Sequence, residues 1–100
     1  MIVVSGTLRL APEDLAALRD MAGETIAATR AEPGCIVYAF AEDFVEPGLV
    51  RIYEEWESRA ALDAHGRTAH IAAWRQALAG VTIVSSELKL TEVGAFEPFA

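Results

Sequence analysis

At 100 residues and a net charge of −7 at pH 7, the chain is sized for one domain, residues 1–100, with a modest core. Its 15 acidic against 8 basic residues would repel phosphate backbones and anionic lipid, so neither nucleic acid nor a membrane surface is expected as a partner. Cys35 is the single cysteine, so no disulfide can form within the chain, and a cytoplasmic location is the expectation.

The opening MIVVSGTLRL has no basic run and alternates like a strand, so it is read as structure and not as a secretory leader. Ile2, Val4, Gly6, Leu8 and Leu10 share one face of a first strand over residues 2–10, and Val3, Ser5, Thr7 and Arg9 share the other. A helix opens at Pro12, with Glu13 and Asp14 suited to the positive end of its dipole. Leu15, Leu18, Ala22, Ile26 and Thr29 form its apolar stripe, and Pro33 and Gly34 end it.

A second strand is predicted from Cys35 to about Phe44, then a turn at Glu46–Leu49, then a third strand from Leu49 to Glu57. Ser58 is placed to cap a short helix over Arg59–His65, stopped by Gly66. Thr68 is placed to cap the next, Ala69–Leu78, which presents Ile71, Trp74 and Leu78 on one face. A fourth strand follows from Val81 to about Val93. The order βαββαβ is that of a ferredoxin-like α+β sandwich, with helices on one face of a four-stranded antiparallel sheet. Ile36, Tyr38 and Phe40 on one parity and Cys35, Val37 and Ala39 on the other suggest a sheet apolar on both faces. The expected cover for the second face is another copy of the chain, in a two-fold homodimer.

Period two on the third strand groups Val50, Ile52, Glu54 and Trp56. Glu54 is thereby placed on a buried face between aliphatics and an indole. Such a carboxyl either finds a buried donor or has its pKa raised, which suits acid–base work near neutral pH. His65 closes one helix and His70 opens the next. A glycine lies between them, so they are not the i, i+4 pair of a helical zinc site. Zinc would need carboxylates as further ligands, and no metal is expected. Trp56 and Trp74 read as core residues first and pocket walls second. The glycines form no GxGxxG or P-loop, so no nucleotide cofactor is indicated, and no feature asks for a flavin.

Three segments, AEPGCIVYAF, YEEWESRAALDAH and TAH, in this order and with these elements, resemble the antibiotic biosynthesis monooxygenase family, including its quinol monooxygenase-like members. The resemblance implies a dimeric α+β barrel and cofactor-independent oxidation of a quinol, anthrone or related aromatic polyketide by O₂. It implies Glu54 and His65 as the acid–base groups, with Trp56, Tyr38, His70 and Trp74 lining or gating the pocket. A haem-degrading branch of that superfamily carries an asparagine in the first strand and an axial histidine on the later helix. Here those neighbourhoods read VSGTL and HIAAWR, and the chain has no asparagine. Haem handling and a non-catalytic ligand-binding or stress-associated module are the alternatives.

Overall fold

The computed structural model covers all 100 residues. The elements are β1 (Ile2–Leu10), α1 (Pro12–Arg30), β2 (Cys35–Glu42), β3 (Leu49–Trp56), α2 (Arg59–His65), α3 (Ala69–Ala79) and β4 (Ile83–Glu92), in the order βαββααβ. All strand pairs are antiparallel, and the sheet runs β2-β3-β1-β4. β1 and β2 thus run parallel with β3 between them, which is the ferredoxin-like arrangement.

Both inter-helix boundaries follow from capping. Ser58 accepts from the Ala61 amide at 3.1 Å and starts α2. Thr68 accepts from the Ile71 amide at 3.4 Å while its own hydroxyl donates to the His65 carbonyl at 2.9 Å. One threonine therefore ties the end of α2 to the start of α3. α1 has no side-chain cap and relies on Pro12 in its first turn, with Glu13 and Asp14 beside it.

The strand ends differ from the sequence expectation for local reasons. β2 stops at Glu42, short of Phe44, because the Asp43 carboxylate accepts from the amides of Val45 and Glu46 and bends the chain into a turn. Gly48 closes that turn at φ 82°, where an added Cβ would overlap the Leu10 carbonyl. β4 begins at Ile83 because Val81 is still bonded to the Leu78 carbonyl at the end of α3.

The core forms two adjoining clusters on the helix side of the sheet. Leu8, Leu10, Leu15, Val50 and Ile52 make one; Ile2, Val4, Tyr38 and Trp56 make the other. Trp56 has no exposed surface, and truncating a side chain so placed costs about 3–5 kcal/mol.

The two-faced pattern expected of β2 is corrected by a bulge. Cys35 lies opposite Trp56 and Val37 opposite Glu55, so Ile36 is an extra residue. The bulge puts both Cys35 and Tyr38 on the helix side and leaves Ile36 exposed. The outer face of the sheet is accordingly mixed: Val3, Val37 and Ala39 share it with Arg51, Glu55, Glu87 and Lys89. The uncovered apolar surface lies elsewhere. The helices pack over β2 and β3, so the helix-side residues Leu88 and Leu90 of the edge strand β4 remain about half exposed.

Candidate functional site

An apolar cavity of about 350 Å³ opens between the sheet and the α2–α3 segment, beside β4. Glu54 reaches it from the centre of the sheet, directly opposite Val4 on β1 and Tyr38 on β2. The Trp56 indole N–H donates to Glu54 Oε1 at 2.9 Å, from the next position on the same face of β3. Oε2 has no protein partner and is not sealed off, so it is the oxygen available to the cavity. Burial pushes the Glu54 carboxyl above the usual range; the Trp56 donor and then the His65 charge oppose this, and Glu32 adds to it.

His65 stands beside Glu54 on the cavity wall, stacked near Trp56 with ring centroids 4.8 Å apart and near Tyr38 at 5.2 Å. Its position is fixed from outside the cavity by Glu32. Glu32 Oε2 accepts from His65 Nδ1 at 2.8 Å and from His70 Nε2 at 2.7 Å. A carboxylate oxygen only accepts, so Nδ1 of His65 carries the proton, and in the neutral ring Nε2 is left as the acceptor. Nε2 has no protein partner, is not sealed off, and belongs to a ring that lines the cavity.

Glu32 owes its position to the EPGC turn. Pro33 is followed by Gly34 at φ 82°, and the Cys35 amide returns to the Glu32 carbonyl at 3.3 Å, as in a type II turn. A Cβ on Gly34 would overlap the Ala61 side chain, so this turn also packs tightly on α2. Tyr38 completes the aromatic wall. Burial, then Glu54 and Glu32, push its phenol well above the ordinary range, so it stays protonated. Trp74 faces Phe40 across 5.9 Å at the other end of the cavity.

The sequence profile of the antibiotic biosynthesis monooxygenase family matches residues 1–77. The chain belongs to this family. The remaining strand, β4, is included in the structural matches. A candidate antibiotic biosynthesis monooxygenase from Deinococcus radiodurans superposes with a TM-score of 0.91 at 28% identity, covering 100% of this chain and 99% of that one. A second solved antibiotic biosynthesis monooxygenase gives 0.85 at 27% identity, covering 95% and 100%. The uncharacterized protein sll1783 of Synechocystis sp. is 30% identical over 92 residues, and the match spans 92% of this chain but 63% of that relative.

Of the six residues singled out in the sequence, four line the cavity of this family member: Tyr38, Glu54, His65 and Trp74. Two do not. Trp56 is wholly buried beneath the site, sealed by α2 and β1, and acts on it from behind, through its hydrogen bond to Glu54 and its packing against the His65 ring. His70 is turned to Glu32 by the first turn of α3, away from the cavity wall. The glycine between the histidines does keep them on separate helices, yet one carboxylate gathers both. Glu32 was missed in the sequence as a site residue, although it opens the EPGC motif. No helix is long and apolar enough to cross a membrane.

Proposed function

We propose that the chain is a cofactor-independent monooxygenase that oxidises a quinol, anthrone or related aromatic polyketide with O₂. Membership of the family supports monooxygenase chemistry in general. The observation that carries the finer reading is the placement of Glu54 and His65, each with an unpartnered acceptor atom, on one largely apolar cavity whose other polar lining is Arg75 and Ser86. Aromatic walls from Tyr38, Phe40 and Trp74 suit a flat ring system.

For an anthrone-like methylene the overall change is R₂CH₂ + O₂ → R₂C=O + H₂O, with the substrate supplying all four electrons. Glu54 Oε2 takes the acidic C–H or phenolic proton, and burial makes it a stronger base than an exposed carboxylate. The substrate anion passes an electron to O₂, and recombination forms a C–O bond as a peroxide. Protonated Glu54 returns its proton to the peroxide. His65 Nε2 takes the remaining C–H proton and passes it to the departing hydroxide, so the O–O bond breaks with formation of the carbonyl and loss of water.

A homodimer is part of this proposal. Leu88 and Leu90 leave the cavity's open side bordered by apolar surface, and Phe96 and Phe99 lie exposed in the C-terminal tail. A second copy burying these residues would close the cavity to bulk water, which an anionic intermediate facing O₂ requires.

The test is O₂ uptake with product analysis, using a panel of anthrones and naphthohydroquinones and chelator-treated protein. Glu54→Gln is expected to lower the rate about 100-fold, the lower range for loss of a general base. Uptake no faster than the uncatalysed oxidation across the panel would turn the reading to a binding module of the same fold.

A further inference from the structure

From the convergence of Glu32, His65 and His70 we propose a second site on this chain, a binding site for a divalent transition-metal ion such as Zn²⁺. It lies behind the cavity wall, on the far side of the His65 ring.

The donor atoms are Glu32 Oε2, His65 Nδ1 and His70 Nε2, all within 4.8 Å of one another. Two imidazoles and one carboxylate are a donor set that zinc and other borderline divalent ions take. Three protein ligands leave a further position for water. Ligands about 2.1 Å from a tetrahedral ion sit about 3.4 Å apart. The two Glu–His pairs stand at 2.8 and 2.7 Å, and the histidine nitrogens lie within 4.8 Å of each other. Side-chain rotations that open the first two by about 0.6–0.7 Å and close the third by up to about 1.4 Å would admit an ion.

The frame around these atoms is built independently of any ion. Glu32 is set by the Pro33–Gly34 turn, whose Gly34 carbonyl accepts from the Glu57 amide at 2.8 Å. His65 is the last residue of α2 and His70 lies in the first turn of α3, and Thr68 bonds the two helix ends together. Three elements thus deliver one ligand each. The Glu32 and His65 side chains are nearly buried, at 11% and 8% exposure, whereas His70 at 26% leaves a way in from solvent. The net charge of −7 favours cations at the surface.

The site also has a chemical link to the cavity. In the ion-free state Nδ1 of His65 holds the proton and Nε2 accepts. An ion on Nδ1 displaces that proton, so a neutral His65 then carries it on Nε2 and faces the cavity as a donor. Glu54 lines the same cavity as the His65 ring, so the atom that changes role faces the proposed base across that space. Metal occupancy therefore exchanges the proton-accepting His65 for a proton-donating one.

Binding is tested without substrate, so the result is separate from the oxygenase reading. Chelator-treated full-length protein is titrated with Zn²⁺ against a chromophoric chelator, and with Co²⁺ by visible absorption. One ion per chain is expected, with the intense Co²⁺ bands of four- or five-coordination. Tm should rise by roughly 10–20 °C at a hundredfold excess of Zn²⁺ over Kd. Glu32→Gln and His70→Ala should each weaken binding at least about tenfold, the scale on which even supporting contacts act. Circular dichroism confirms that each variant is folded, and His70→Gln serves if His70→Ala is not. Failure of the parent protein to bind at micromolar Zn²⁺ would overturn the proposal. So would affinity that is unchanged in these folded variants, which would mark adventitious binding to surface carboxylates.

Discussion

Trp56 donates its indole N–H to Glu54 Oε1 at 2.9 Å, and the ring that does so has no exposed surface. A base in an apolar cavity needs a fixed orientation, and this bond supplies it from two residues along the same strand. Trp56→Phe removes the donor but keeps an aromatic ring in place. Hydrogen bonds to charged groups contribute about 1.5–3 kcal/mol, so a stability loss of about 2 kcal/mol is expected in urea denaturation. The Glu54 carboxyl should rise further, because the strongest group holding it down is gone. Oxidation of a responsive substrate should slow about tenfold as the carboxylate loses its alignment.

The raised Glu54 carboxyl has a consequence for stability. An unfolded glutamate titrates near pH 4.3, and the folded group titrates higher. The fold binds this proton more tightly, so its contribution is fully present below the unfolded pKa and is lost as pH rises through the folded one. Glu54→Gln keeps an acceptor for Trp56 but cannot ionise. The stability of the parent relative to this variant should therefore fall from pH 4 towards neutrality. Urea denaturation of both proteins at pH 4, 5, 6 and 7 checks this, and parallel curves would contradict it.

Glu54 was legible in the sequence because β3 alternates without interruption from Val50 to Trp56, so parity alone placed it on the buried face. Capping residues were legible for a similar reason: Ser58 and Thr68 act within three residues of themselves. Parity failed in β2, where the extra residue at Ile36 shifts the register and nothing in the local sequence announces a bulge. That failure made the sheet look apolar on both faces and hid the true exposed surface on β4. Glu32 was out of reach for another reason. Its partners lie 33 and 38 residues away, and only the meeting of a turn with two helix ends brings them together.

Thr68 joins α2 to α3 and so sets the spacing of His65 and His70. Thr68→Ala loses the cap on the Ile71 amide and the bond to the His65 carbonyl. A cost of about 1 kcal/mol is expected, or a Tm lower by roughly 4–8 °C in a thermal melt. Thr68→Ser retains the hydroxyl and should recover most of that loss.

The homodimer is tested at the edge strand. Leu88 borders the cavity with about half its surface exposed, and Leu88→Glu would place a charge in any contact formed there. Sedimentation should show the parent protein as a dimer and the variant as a folded monomer at micromolar concentration. A parent protein that sediments as a monomer would contradict the proposed closure of the cavity.

The central claim is that Glu54 is the base of a cofactor-independent oxygenation, and its most direct test is the pH dependence of O₂ uptake by chelator-treated protein. The rate with an anthrone or naphthohydroquinone substrate is expected to rise with pH through a midpoint above the ordinary glutamate range, set by burial of Glu54. In Glu54→Gln it should be about 100-fold lower and lack that rise. Equal rates and the same pH profile in the two proteins would contradict the assignment.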